Sequence, residues 1–223
     1  PQLVDLGVGR TAVSVSLGQY HTCAILDDGS LKCWGNNIEG QLGIGSRTTQ
    51  ITPQLVDLGV GRTAVSVSLG QYHTCAILDD GSLKCWGQNN YGQLGIGTSG
   101  YTANQNTPQL VDLGVGRTAV SVSLGSYHTC AILDDGSLKC WGSNSYGQLG
   151  IGSTTQQTTP QLVDLGVGRT AVSVSLGNSH TCAILDDGSL KCWGYNLYGQ
   201  LGIGTSGSTT NQNTPQLVDL GVG

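Results

Sequence analysis

The chain has 223 residues, eight cysteines, 36 glycines, no methionine, no phenylalanine and a formal net charge of −5. Such mild acidity argues against a phosphate backbone as partner, which calls for a basic face, and no apolar run approaches the roughly 18 residues that span a bilayer. Neither nucleic acid nor membrane is therefore expected, and Pro1, in a chain without methionine, is not a translation start, which points to a processed product or an excerpt.

The opening PQLVDLGVGRTAVSVSLG begins again at Pro53, Pro108 and Pro160, and a shorter copy begins at Pro215. Spacings of 52, 55, 52 and 55 residues fall in the range of propeller blades rather than short helical repeats. One repeat domain over residues 1–223 follows, with units starting at 1, 53, 108 and 160 and a partial unit at 215–223. Within each unit GVGRTA has the letters of a dinucleotide fingerprint, but that motif needs a helix after it and a strand pattern follows. The strand runs from Ala12 to Leu17, where Val13, Val15 and Leu17 alternate with Ser14 and Ser16. A second runs from His21 to Leu26. Asp27-Asp28-Gly29 then suits a three-residue hairpin, a type I turn closed by a left-handed glycine. Its Asp pair resembles the start of a calcium loop but lacks the distal Glu, so a solvated turn is the reading. The third strand is Leu31 to Trp34, and the fourth is expected at Gln54 to Leu58, borrowed from the next repeat, with the order running from the centre outward.

Counting outward from the hairpin turn opposes Leu26 to Ser30, Ile25 to Leu31, Ala24 to Lys32 and Cys23 to Cys33. One pair per hairpin fits four disulfides, Cys23 with Cys33, Cys75 with Cys85, Cys130 with Cys140 and Cys182 with Cys192; the other reading is reduced thiols used as small core residues. Disulfides imply an extracellular or periplasmic protein. His21 with the two cysteines does not make a zinc site, for want of a fourth ligand and of a CxxC spacing. His21 is read as held by hydrogen bonds inside the blade, and Trp34 as packing between blades. No metal and no cofactor are expected.

The string HTCAILDDGSLKCWGNNIEGQLGIG, starting at His21 and recurring at His73, His128 and His180, resembles the repeat of the regulator of chromosome condensation propeller family. That family's pattern is a Gly-x-x-His-Thr strand, a hairpin ending in Trp-Gly, and Asn-x-x-Gly-Gln-Leu-Gly-x-Gly. The resemblance implies an all-β fold of propeller blades, each of four antiparallel strands. The family ring usually has seven blades, so four units are expected to form part of a larger ring or array. Members of the family include a nucleotide-exchange factor for a small GTPase, an inhibitor of β-lactamases and repeats fused to ubiquitin ligases, and none of their contact residues is carried over.

No unit offers paired carboxylates in a cleft, a nucleophile with a base, or a phosphate cradle, so no enzyme is expected. The repeats differ in two places only. One is the pair before the His, containing Tyr20, Tyr72, Tyr127 and Ser179. The other is the segment after Trp-Gly, containing Asn36, Ile38 and Glu39, then Gln88, Tyr91 and Tyr101, then Ser143 and Tyr146, then Tyr195, Leu197 and Tyr198. In an up-and-down blade both places lie on one side of the sheet. Tyr for rigid contact and Ser and Asn for adaptable hydrogen bonds make a binding-loop composition, so these residues are the candidate site of a scaffold that binds a protein or a glycan. The alternative is a self-assembling structural array or extracellular fibre, or a designed repeat chain. Self-association through the terminal strands is expected too: Gln216 to Leu220 completes the fourth blade and leaves Gln2 to Leu6 with an unpaired edge.

Overall fold

The computed structural model describes residues 2–221. Its sixteen strands form four sheets of four. Blade 1 comprises β1 (Ala12–Leu17), β2 (His21–Leu26), β3 (Leu31–Gly35) and β4 (Gln50–Leu55). Blade 2 comprises β5 (Ala64–Leu69), β6 (His73–Leu78), β7 (Leu83–Gly87) and β8 (Gln105–Leu110). Blade 3 comprises β9 (Ala119–Leu124), β10 (His128–Leu133), β11 (Leu138–Gly142) and β12 (Gln157–Leu162). Blade 4 comprises β13 (Ala171–Leu176), β14 (His180–Leu185), β15 (Leu190–Gly194) and β16 (Gln212–Leu217). Each is an antiparallel meander, and the first strands pack against one another in succession, β1 on β5, β5 on β9 and β9 on β13, so they are the innermost.

The central hairpin has the register that its turn dictates. Ile25 opposes Leu31, Ala24 opposes Lys32 and Cys23 opposes Cys33, with Gly29 at φ 77° closing the turn. All four cysteine pairs are disulfides, Cys23–Cys33, Cys75–Cys85, Cys130–Cys140 and Cys182–Cys192.

Strand alternation gives each blade two apolar faces, and neighbouring blades bury them against each other. Cys23, Ile25, Leu31, Cys33 and Leu42 of blade 1 meet Val56, Leu58, Ala64, Val67, Leu69 and Trp86 on the near face of blade 2. The same cluster recurs between blades 2 and 3 and between blades 3 and 4, and among the described residues no fourth cluster joins blade 4 back to blade 1. The four blades therefore form an open arc.

Two expectations need correction. The innermost strand was read as alternating from Val13, but a β-bulge between Ala12 and Ser14 shifts the phase. Val65, the copy in blade 2, is 61% exposed, and Ala64 is buried in its stead. The fourth strand starts four residues and ends three residues earlier than expected, at Gln50–Leu55 rather than Gln54 to Leu58, and likewise Gln212–Leu217 rather than Gln216 to Leu220. The apolar Val56 and Leu58 leave the sheet to fill the junction between blades. The strand itself, outermost and wet, is mostly Gln, Thr and Pro, and its Ile51 and Leu55 are exposed. Pro53 is tolerated because an outer strand leaves half of its N–H groups without a partner strand. Gln2 to Leu6 form no strand; Leu6 instead accepts a hydrogen bond from Lys32 Nζ at 2.9 Å, as Leu58 does from Lys84.

Candidate functional site

The face on which the repeats differ is held by a polar relay that crosses every junction. His21 was expected to bond inside its own blade. Its Nε2 instead lies 2.8 Å from Thr74 Oγ1 in blade 2, and His73 and His128 reach Thr129 and Thr181 at 3.0 Å in the same way. The hydroxyl of Thr74 has one proton, which it donates to the Gln41 carbonyl at 2.8 Å, so it must accept from His21 Nε2–H. Thus the tautomer is fixed. Nδ1 is bare, buried and without a partner in His21, His73 and His128. Protonating it would bury a charge with no acceptor, and desolvation accordingly lowers the pKa from 6.5 to about 4 for His21 and to about 3 for His73 and His128. The Gln41 carbonyl also receives Trp86 Nε1–H at 2.9 Å, so a single acceptor ties the tryptophan and threonine of the next blade.

That relay corrects the expectation for Trp34. Trp86, Trp141 and Trp193 are fully buried between blades and donate to Gln41, Gln93 and Gln148, whereas Trp34 lies at the outer face of blade 1 and is only partly buried.

The Asn-x-x-Gly-Gln-Leu-Gly loop that presents Gln41 is braced by its own first residue. Asn37 is fully buried; its Oδ1 accepts from Leu42 N–H at 3.0 Å and its Nδ2 donates to the carbonyls of Ser46 and Thr48. Gly40, at φ 85°, leaves room for Asn106 of the next blade, 2.7 Å from where a Cβ would stand. Loop and junction are thereby locked together.

On this scaffold the variable residues converge. Each junction carries one tyrosine pair on the variable side: Tyr20 with Tyr72 at 5.2 Å between ring centroids, Tyr91 with Tyr127 at 5.3 Å, and Tyr146 with Tyr195 at 4.7 Å. The pairs come from different sequence positions. Blade 4 has Ser179 where the other blades have Tyr20, Tyr72 and Tyr127, and Tyr195 supplies the ring that Ser179 lacks. Tyr20, Tyr91, Tyr101, Tyr146, Tyr198 and Ile38 are exposed, while Tyr72, Tyr127, Ser143, Ser179, Tyr195, Leu197 and Asn36 are half-buried.

Other members of the predicted set are internal braces. Gln88 is buried and donates to Glu39 Oε1 at 3.4 Å, and Asn36 Oδ1 accepts from Gln41 Nε2 at 2.7 Å. Asn104, which sequence reasoning passed over, is buried after a single 3-10 turn at Tyr101–Ala103. It donates to Glu39 Oε2 and receives Asn89 N–H. Gln19, Gln71, Ser126 and Asn178 belong to the varying pair before the His but were not among the candidate site residues. They line a depression of about 270 Å³ where the ends of the four innermost strands converge, together with the Leu-Gly pairs before them. They occupy the varying position before Tyr20, Tyr72, Tyr127 and Ser179, and that variation was their only signal.

The opposite side is uniform and ionic. Arg10 bridges Asp27 at 3.6 Å and Asp28 at 2.7 Å, and the arrangement repeats around Arg62, Arg117 and Arg169. The Ser30 hydroxyl, donating to Asp28 at 2.6 Å, is the main cause of a carboxyl held below its usual range. Among the described residues no three His, Cys, Asp or Glu side chains are grouped to hold a metal, and no helix is long and apolar enough to cross a membrane.

Comparison with known proteins agrees with this geometry. Among solved structures, Prp20p from Saccharomyces cerevisiae superposes with a TM-score of 0.85 at 21% identity, covering 96% of this chain and 52% of that one. Human WBSCR16 gives 0.80 at 25% identity, covering 93% and 53%. The ultraviolet-B receptor UVR8 of Arabidopsis thaliana is 33% identical over 98% of this chain, which spans about half (48%) of that receptor. The E3 ubiquitin-protein ligase HERC2 of Homo sapiens is 32% identical over 98% of the chain and 4% of its own length. A model of the RCC1-like domain matches residues 1–222. With that match spanning nearly the whole chain, the chain belongs to the RCC1-like domain family.

Proposed function

We propose that this chain is a non-enzymatic binding scaffold that presents its tyrosine-bearing variable face to a protein or glycan. The observation that carries the reading is the concentration of the differences between repeats on one side of the sheets, where a tyrosine pair with one exposed and one half-buried ring marks each junction. Aromatic rings whose conformations are already limited by a neighbour give contact area at low entropic cost. RCC1-like repeat domains are typically protein-interaction scaffolds and generally non-catalytic, which supports the coarse form of the reading. Yeast Prp20p has binding properties toward Gsp1p and histones, and a second structure holds it with Kap60. Four disulfides support an extracellular or periplasmic setting, where thiols oxidise and stay oxidised. The test is capture of a partner from the native environment by the unmodified chain. Tyr91→Ala, Tyr146→Ala and Tyr198→Ala should weaken capture while the melting temperature moves little, and undiminished capture by all three would overturn the reading.

A second reading is favoured by the outer faces of the arc. The outward faces of blades 1 and 4 are the two halves of one further junction, with Ile184 45% exposed on one and Val15 61% exposed on the other, which suits a self-assembling array of repeats.

A further inference from the structure

The variable face divides into an outer and an inner zone. In the outer zone several polar side chains brace the protein itself: Asn37 and Asn89 brace loops, Gln88 and Asn104 hold Glu39, and Arg47 Nη2 donates to the Asn104 carbonyl. The inner zone is the mouth of the 270 Å³ depression. There the amides of Gln19 and Gln71 and the hydroxyl of Ser126 have no hydrogen-bond partner among the described residues, and Asn178 Oδ1 receives only Ser179 Oγ at 2.9 Å. Tyr20 and Tyr72, packed on each other at 5.2 Å between ring centroids, follow Gln19 and Gln71 directly in the chain, outside the lining of the depression itself.

The mouth is also uncharged. Every Asp, Glu, Lys and Arg of the chain belongs to the repeated Asp5, Arg10, Asp27, Asp28 and Lys32 sets except Glu39 and Arg47, and these two are the pair engaged by Gln88 and Asn104 in the outer zone. An anion entering the mouth would lose hydration with no cation to meet it, and a cation would find no carboxylate. Amides offer a donor and an acceptor side by side, which matches neighbouring hydroxyls, and tyrosine faces match the apolar C–H faces of a sugar ring. The volume lies just under the ~300 Å³ at which small-ligand pockets begin, enough to seat part of a longer ligand. Equivalent groups repeat from blade to blade, as the hydroxyls of a polymer repeat from unit to unit.

We propose that the mouth formed by Gln19, Gln71, Ser126 and Asn178 is a subsite for an uncharged oligosaccharide, with Tyr20 and Tyr72 as its stacking wall. This rests on the variable face being the binding face. The test is titration calorimetry with cellohexaose, xylohexaose and chitohexaose as neutral probes and a heparin hexasaccharide and hexagalacturonate as anionic ones. At least one neutral probe should bind, with an affinity nearly independent of salt, because no counterions are released. Gln71→Ala should weaken it about fivefold or more through loss of its hydrogen bonds, with the melting temperature unchanged, and Val60→Ala, exposed on the opposite and uniform side, should leave it alone. Binding of the anionic probes only, of no probe, or of a neutral probe to a Gln19→Ala, Gln71→Ala double variant as tightly as to the parent would overturn the assignment. If no saccharide binds but a native partner is captured and lost on Tyr72→Ala, the ligand class is wrong and the binding face stands; if Tyr72→Ala captures as well as the parent, the face falls with it.

Discussion

His21, His73 and His128 are each committed to one tautomer by a threonine whose only proton is already spent on a backbone carbonyl. The commitment has a pH signature. In the unfolded chain these histidines take up a proton below about 6.5, whereas in the fold His21 resists until about 4 and His73 and His128 until about 3. The unfolded state therefore binds more protons throughout that interval, so stability is complete above pH 6.5 and falls on acidification, by about 1.4 kcal/mol per pH unit for each histidine. Thermal unfolding followed from pH 7 to pH 4 should show a steep loss, and a His73→Gln variant should show a shallower one. The tryptophans give a second residue-scale contrast. Trp86→Ala empties a buried site and removes a donor to Gln41, and should cost about 3–5 kcal/mol by chemical denaturation. Trp34→Ala, at an outer face, should cost clearly less; equal losses would contradict the burial difference.

At the scale of the element, the two inner hairpin strands were legible because alternation and turn chemistry agree. Gly29 fixes the turn, the turn fixes the register, and the register opposes Cys23 to Cys33. Peptide mapping without reduction should recover Cys23 linked to Cys33. Replacing Cys75 and Cys85 together by Ala should cost about 2–3 kcal/mol, the entropy of closing a short loop, or less where the hairpin persists when unfolded. The outermost strand was not legible, for a physical reason. Gln50 to Leu55 bury no residue fully on either side and so carry no hydrophobic period, while the apolar Val56 and Leu58 that follow belong to the junction. The bulge at Val13 misled in the same manner, since a one-residue phase shift leaves no mark in the letters. In the candidate site the tyrosines could be read from composition, but Gln88 and Asn36 could not be recognised as braces, because a buried amide and an exposed one look alike in sequence.

For the molecule as a whole, stability is a sum over blades and junctions, and the junction is the larger cooperative unit, since each blade has an apolar face on both sides. Blade 4 ends in half a junction: Ile184 is 45% exposed where Ile25, Ile77 and Ile132 are 2–3% exposed, and the Gln200 carbonyl and His180 Nε2 occupy the places of Gln41 and His21. Blade 1 begins with the other half, Val15 at 61% and Leu17 at 71% where Val67 and Leu69 are 8% and 7% exposed, beside the Thr22 hydroxyl and Trp34 Nε1–H. The apolar and hydrogen-bonding groups of the two faces are those of a junction that the chain already makes three times. Contact between them is heterologous, so it closes into a ring only if the rotation allows and otherwise extends. Sedimentation equilibrium of the 223-residue chain should accordingly show a mass above the monomer's that rises with concentration. Val15→Asp with Leu17→Asp should return the monomer while hydrogen exchange in β6 and β10 stays slow, separating loss of contact from loss of fold. A parent chain that remains monomeric over the whole concentration range would remove the array reading and leave the variable face as the molecule's only candidate for recognition.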